Sequence, residues 1–483
     1  MSPKSIKRNY IYNASYQVLI LIIPFITIPY ISRVLTPGSI GRFTFVHSIV
    51  QYFSLFAGMG VGIFGQREIS YYQDNRKERS RVFWELKVLS LINVSVCIAI
   101  YVTLASLYAI QNIKMYMIMT LFIFNIFVDV GWFFAGMEDF QKLISVNFVL
   151  KILQTACIFI FIKSPEHVDR YAFNLAFFYI LAGLILWRFI PEYIDKPDWK
   201  ALKPFRDIKT IWSLFVPTIA IQVYTVLDAT MIGLFTEGSL ENGYYELCMR
   251  VIRLVVMAVV SLSGVMIPRI GYLFKKGDHE QISNYMYVSY RFVWFIGIPL
   301  CLGLIAISNN FVFWFFGENS GRVAELLRAS SFLVIVMGLN HITGAQYLIP
   351  TGRQNQYTLS VIIGAVVNFT MNIFLIRLFA AYGAVVASVV AEGVIVLVQL
   401  YMIRKELSAL KILSSMKNYL LAGIVMLVLL LSLEKFLAST PLNTFMLIFV
   451  GSGTYFGVLL ILRDRFFITN SRKILSILLR RPI

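Results

Sequence analysis

The chain has 483 residues, 58% of them hydrophobic and only 14% charged, where a soluble domain carries about 25% charged residues. Its net charge of +18 falls mostly in the connectors between apolar runs, which points to anionic lipid headgroups and not to nucleic acid. A soluble enzyme and a nucleic-acid-binding domain are thereby excluded, and a multi-pass membrane protein remains.

The basic N-terminus, Met1 to Tyr10, leads into an apolar run with no small-x-small cleavage site, so it reads as a retained first helix and not a signal peptide. Fourteen apolar runs have the roughly 20 residues that a helix needs to span the hydrocarbon. They lie at 10–32, 40–64, 83–107, 115–136, 142–163, 169–190, 210–235, 242–268, 284–308, 323–349, 357–379, 382–403, 416–434 and 441–462. An even count places both termini on one side. Lys4, Lys7 and Arg8, the 67–81 connector, the 196–206 connector, Arg269, Lys275, Lys276, Arg404, Lys405, Lys411 and the tail with Arg472, Lys473, Arg480 and Arg481 all fall on that same side. By the positive-inside rule it is cytoplasmic.

The predicted domains follow: a first lobe of six helices at 1–191, a basic cytoplasmic linker at 192–209, a second lobe at 210–406, and a helix pair with a basic tail at 407–483. Six helices per lobe give both halves the same orientation, related by an axis along the membrane normal with a cavity between them. In the linker, Trp199, Leu202, Phe205 and Ile208 recur every three residues beside basic ones, the pattern of a short helix on the headgroup surface, although Pro204 interrupts it; a simple basic tether fits as well.

Taken in chain order, the polar intrusions are few. Pro24 and Pro29 in the first helix each remove a backbone hydrogen bond and predict a kink there, either a static one or a hinge. The turn Leu35-Thr-Pro-Gly-Ser-Ile-Gly41 is echoed about 200 residues later by Phe235-Thr-Glu-Gly-Ser-Leu-Glu-Asn-Gly243, the mark of a duplicated transporter. His47 is either a pH-sensitive substrate contact or a satisfied core residue. Asp129 and Lys151 come out at similar depth and suggest an ion pair, with a ligand or proton site as the alternative.

In the second half, Glu246, Arg250 and Arg253 stand at i, i+4 and i+7 on one helix face, and Asp228 lies at the depth of Arg250. Either Arg250 pairs with Asp228, which leaves Arg253 unpaired, or the two arginines grip an anion, since a guanidinium fork matches phosphate oxygens. Asn368 and Asn372 form a polar stripe for sugar hydroxyls or for interhelical hydrogen bonds. Glu392 has no basic neighbour at its depth and is a candidate proton or cation site. No P-loop, zinc spacing or Ser-His-Asp arrangement occurs, so no metal site and no ATP-driven pump is expected, and no loop is long enough for a catalytic domain.

Several stretches resemble bacterial polysaccharide-repeat-unit flippases of the multidrug/oligosaccharidyl-lipid/polysaccharide exporter superfamily. They are Gly41-Arg-Phe-Thr-Phe, Gly62-Ile-Phe-Gly-Gln-Arg-Glu-Ile-Ser70, Asp129-Val-Gly-Trp-Phe-Phe-Ala-Gly-Met-Glu138, Gln222-Val-Tyr-Thr-Val-Leu-Asp-Ala-Thr-Met-Ile-Gly233, Met266-Ile-Pro-Arg269, Gln346-Tyr-Leu-Ile-Pro350 and Tyr382 through Glu392. The resemblance covers about the first 405 residues. It implies two six-helix bundles in a V around a central cavity, here followed by an extra C-terminal helix pair.

The resemblance further implies a location in the bacterial cytoplasmic membrane and transfer of an undecaprenyl-pyrophosphate-linked oligosaccharide from the inner to the outer leaflet. Na⁺ or H⁺ is the implied coupling ion, and membrane lipids and a polysaccharide polymerase or assembly complex are the implied partners. Arg250 and Arg253 are the residues that would meet the pyrophosphate. A cation-coupled drug antiporter of the same superfamily is the alternative, along with a membrane polymerase and an assembly scaffold.

Overall fold

A computed structural model describes residues 3–108 and 113–478. Arg480 and Arg481 of the expected basic tail lie outside the described residues. The described chain is all helical: α1 (Pro3–Gly58), α2 (Val61–Tyr71), α3 (Arg76–Tyr108), α4 (Ile113–Val128), α5 (Gly131–Gly136), α6 (Phe140–Phe161), α7 (Val168–Trp187), α8 (Ile208–Phe235), α9 (Leu240–Val260) and α10 (Ser263–Lys276). There follow α11 (His279–Phe316), α12 (Gly321–Ser330), α13 (Phe332–His341) with a π-helical extension Ile342–Leu348, α14 (Gln354–Phe379), α15 (Ala381–Met402), α16 (Ala409–Ser414), α17 (Lys417–Glu434), α18 (Pro441–Ile461) and α19 (Arg465–Leu478).

Among the described residues, ten helices are long and apolar enough to cross a membrane, or up to twelve if two bent pairs, α9 with α10 and α12 with α13, each form one span. Large apolar side chains such as Phe25, Phe177, Leu397 and Phe449 stay exposed on these helices, as lipid-facing residues do. The protein is therefore an all-helical, multi-pass membrane protein. The sequence count of fourteen differs chiefly where Ile22–Tyr71 passes as one 50-residue stretch, while the predicted run 210–235 falls within the 28-residue α8.

The first stretch contains its own break. At about 1.5 Å per residue, α1 would run far beyond a hydrocarbon core of about 30 Å. Thr36, at φ 54° and ψ 155°, interrupts it immediately before Pro37, because a proline ring disfavours helical geometry in the residue ahead of it. Helical dihedrals continue through Pro24 and Pro29, which membrane helices tolerate, and the break in the helical dihedrals sits at Thr36.

The chain divides into two compact units, 1–243 and 244–483. In the first, α8 packs against α1, and the two similar turns meet. A Cβ on Gly41 would lie 1.7 Å from the Ser239 carbonyl oxygen, and one on Gly243 would lie 1.8 Å from that of Pro37. Ser239 Oγ donates to the Gly38 carbonyl at 2.7 Å. The repeated glycines exist because two backbones touch there.

The linker after α7 is neither a surface helix nor a free tether. Beyond the short 3₁₀ turn Ile190–Glu192 it forms turns that the polar end of α3 holds. Arg76 reaches Asp195 at 2.8 Å, and Arg79, 6% exposed, donates to the Tyr193 carbonyl. Trp84 Nε1 donates to the Asp195 carbonyl, and Glu85 accepts from the Lys203 amide and pairs with Arg206. Pro197 and Pro204 remove amide donors that a helix would use, and α3 supplies alternative partners for the rest. The core beneath is aromatic, built on Phe83, Trp132, Phe133 and Phe134.

In the second unit, α11 is the element to which the terminal pair is fastened. At one end Arg291 bonds Tyr419 at 2.9 Å and Asp464 at 3.4 Å. At the other, Asn310 bonds the Ala438 carbonyl, and Trp314 Nε1 donates to Thr444.

Candidate functional site

Polar groups in apolar helices are costly unless paired or facing a wet cavity, so the pairing of each one sorts structural residues from candidates. Along the second segment of α1, His47, Ser48, Gln51 and Tyr52 recur at i, i+1, i+4 and i+5 and share a face. That face meets α8. Gln222 Nε2 donates to Gln51 Oε1 at 3.3 Å, and the Thr230 hydroxyl lies 2.9 Å from Ser48 Oγ and 3.2 Å from Tyr52 OH. Gln51 Nε2 lies 2.9 Å from His47 Nδ1. With Nδ1 accepting, a neutral His47 ring carries its proton on Nε2. The ring is stacked on Phe43 and edge-on to Phe122, so His47 is held in a polar seam and is not a lone intrusion. Asp228, on the same helix as Gln222 and Thr230, is 7% exposed.

Asp129 and Lys151 do not pair, which corrects the expected ion bridge. Asp129 Oδ1 instead accepts from the Gly131 amide at 2.8 Å, turning the chain from α4 into α5. Lys151 Nζ donates to Gln154 Oε1 at 2.8 Å, and no carboxylate among the described residues lies within ion-pair distance. Lys151 also lines a cavity of about 260 Å³ with Asn147, Gln154, Phe178 and Tyr179. Depth alone suggested the ion pair, but the helix rotations send the two side chains to different neighbours. The lysine that does serve α4 is Lys87, which sequence reasoning passed over. Its ammonium, 3% exposed, donates to the carbonyls of Phe127 and Asp129 at 2.6 and 2.7 Å amid Phe127, Trp132 and Trp187. A cation at a helix C-terminus satisfies orphan carbonyls and opposes the helix dipole. No sequence signal set it apart, because Lys87 stands on an apolar helix just as Lys151 does.

On α9 the shared face forms as expected. Glu246 bonds Arg250 at 2.8 Å and Arg253 at 2.9 and 3.0 Å. The prospect of an unpaired Arg253 is corrected, because one carboxylate bridges both guanidiniums. Arg253 remains 54% exposed on its side chain while Arg250 is 15% exposed.

Asn368 and Asn372 are fully buried; Asn372 Nδ2 donates to Asn368 Oδ1 at 3.0 Å, and Asn368 Nδ2 to Ser388 at 3.3 Å. The stripe tightens α14 against α15, and its sugar-contact alternative finds no exposed atom here. Glu392, 4% exposed, accepts from Asn340 Nδ2 at 2.7 Å, and Asn340 in turn accepts from Gln399. This network adjoins the π-helical turn after α13, a distortion frequent at functional sites. Among the described residues no cluster of three or more metal-ligating side chains occurs.

The geometry is thus a helical scaffold with buried polar seams. A family model described as polysaccharide biosynthesis protein matches residues 6–274. The chain belongs to that family. A second model, lipid II flippase MurJ, matches residues 156–455 of this polysaccharide biosynthesis family member. A candidate O-antigen transporter of Shigella dysenteriae is 20% identical over 78% of this chain and 94% of its own. Among solved structures, a lipid II flippase MurJ in an inward closed conformation superposes with TM-score 0.70, 16% identity, and 93% and 98% of the two chains covered. An inward-facing multidrug resistance MATE family transporter gives 0.63, 14% identity, and 82% and 96% coverage. At such identities these likenesses establish the fold.

Proposed function

We propose that this protein is a flippase that carries an undecaprenyl-pyrophosphate-linked oligosaccharide from the inner to the outer leaflet of the bacterial cytoplasmic membrane, for assembly of O-antigen, capsule or another surface polysaccharide. The observation that carries the reading is accessible positive charge on apolar helices: Arg253 keeps about half of its side chain exposed beside Glu246, and Lys151 has no carboxylate within ion-pair distance among the described residues. A diphosphate is the complement of such faces. The names of the relatives, an O-antigen transporter and a lipid II flippase, support the same cargo class. In this reading, fourteen helices form two six-helix lobes plus a terminal pair, both termini are cytoplasmic, and the basic connectors lie on the inner surface.

The physics is consistent. The polyprenyl tail stays in lipid while the polar head passes through protein. An anionic head moving outward runs down an inside-negative potential, about 2.3 kcal/mol per charge per 100 mV, which supplies drive without ATP. Glu392, held by Asn340, is the place for a coupling H⁺ or Na⁺. A drug antiporter for cationic cargo would need acids where α9 presents arginines.

The test is transfer of a fluorescent undecaprenyl-pyrophosphate-linked glycan across vesicles that contain the purified protein. Arg253→Ala is expected to reduce the rate at least tenfold at equal protein abundance. Transfer unchanged in that variant would remove Arg253 from the path, and no transfer by the wild type would remove the function.

A further inference from the structure

A cavity of about 510 Å³ lies on α10, lined by Val265, Met266, Pro268, Arg269 and Tyr272 together with Tyr285 of α11. The helix that carries it is two-faced. Ser263, Ile270 and Leu273 are buried. The 45° bend between α9 and α10 is tied down at Ser263, which donates to Gln346 Oε1 at 2.9 Å, while Gln346 Nε2 donates to Ser289 at 2.7 Å. Val265, Pro268, Arg269 and Tyr272 share the opposite face and are all exposed.

Arg269 is the charged member of that lining. Its guanidinium carbon lies 5.6 Å from the Tyr272 ring centroid and 5.8 Å from that of Tyr285. The rings attract the cation but leave its fork of N–H donors unused, and among the described residues Arg269 has no ion pair. The first acid beyond the helix, Asp278, is taken up in capping α11 through Gln281. Depth separates the two chemistries of the cavity. Arg269 stands about 40 Å of helix beyond Leu240 at about 1.5 Å per residue, past a hydrocarbon core of about 30 Å, whereas Val265 is one turn nearer that core. A free phosphate would gain little from one exposed arginine and would leave the apolar lining uncovered. A hydrocarbon chain alone would leave the arginine unmet. A phosphate that arrives joined to a chain meets both.

We infer that this cavity holds an anionic phospholipid of the surrounding bilayer, with its phosphate on Arg269 and an acyl chain against Val265, Met266 and Pro268. Tyrosines are residues of the membrane interface. Charge complementarity favours an anionic headgroup over a zwitterionic one, whose ammonium opposes the guanidinium. In the proposed orientation the lipid belongs to the inner leaflet. The occupant is a resident lipid that braces the bend of α10 and not the cargo, so the assignment stands apart from the flippase reading.

The experiment titrates the full-length protein in detergent with phosphatidylglycerol, phosphatidylethanolamine, undecaprenyl phosphate or inorganic phosphate and counts bound molecules by native mass spectrometry. Phosphatidylglycerol is expected to bind about fivefold tighter than phosphatidylethanolamine, the weight of one basic residue near an anionic leaflet. Arg269→Gln is expected to erase that preference and Arg269→Lys to keep part of it. The double variant Lys275→Gln/Lys276→Gln, outside the cavity lining, is expected to keep it whole. Tyr272→Ala removes a ring from the lining and is expected to weaken phosphatidylglycerol binding, which provides a second variant should Arg269→Gln fail to fold. Wild-type binding in either Arg269→Gln or Tyr272→Ala would overturn the assignment. Equal loss in the double lysine variant would replace the site with a diffuse basic surface. Tighter binding of undecaprenyl phosphate would make the occupant cargo, and displacement of the lipid by inorganic phosphate would make it a plain anion; either result overturns the assignment. Vesicle transfer is measured alongside: transfer without the lipid preference sinks this site and leaves the flippase, and the preference without transfer does the opposite.

Discussion

Lys87 and Lys151 are the same residue type on apolar helices and have opposite roles. Lys87 is closed off, its three donors directed at two carbonyls and the surrounding rings. Lys151 meets one amide oxygen and a cavity. Lys87→Gln is therefore expected to destabilise the fold by about 1–3 kcal/mol, the cost of orphaned buried acceptors, seen as a lower melting temperature. Lys151→Gln is expected to leave melting within about 0.5 kcal/mol, as a change away from packed or paired groups does, and to lose most surface polysaccharide. The reverse pattern would exchange their roles. Nothing in the sequence separates the two lysines, because the difference lies in which backbone carbonyls the neighbouring helix ends present.

At the scale of elements, the clasp between the two turns was half legible. Their likeness, and the glycines in both, can be read directly; that the turns touch each other cannot, since about 200 residues separate them. Gly41→Val puts atoms where the Ser239 carbonyl stands, and overpacking of that kind costs about 1–3 kcal/mol. Polysaccharide export is expected to fall sharply in Gly41→Val and to be unchanged in Gly62→Ala, where a Cβ meets nothing within 4 Å. Equal export in both would show that the clasp is dispensable. The linker was misread for a related reason. Its apolar period of three is real, but prolines broke the helix and α3 offered it arginine and tryptophan donors from over a hundred residues away.

For the whole molecule, stability against acid should depend on the connector after α15. Arg353 grips Glu406 at 2.6 and 2.8 Å, and Tyr347 also donates to it. Burial pushes the Glu406 carboxyl up, but these two partners outweigh burial and hold it below its usual value. A depressed carboxyl stabilises the fold fully above the unfolded value of about 4.3 and loses that contribution as pH falls through the folded value. The melting-temperature gap between wild type and Glu406→Gln is therefore expected to stay constant from pH 7 to about 5 and to close below about 4. A gap independent of pH would show that the contact is not ionic in origin.

What the sequence by itself determined is what depends on local composition: apolar runs long enough for a bilayer, basic connectors, two glycine turns, and a helix face with Glu246, Arg250 and Arg253 in register. Helical period and hydrophobic length are properties of neighbouring residues, so they survive without a partner. The tertiary structure alone decided which polar groups are satisfied. It parted Asp129 from Lys151, set Lys87 against two carbonyls at the end of α4, and buried Asn368 and Asn372 between helices. Hydrogen bonds are short and directional, so a fraction of a turn in one helix decides whether a charge is neutralised or left for a ligand.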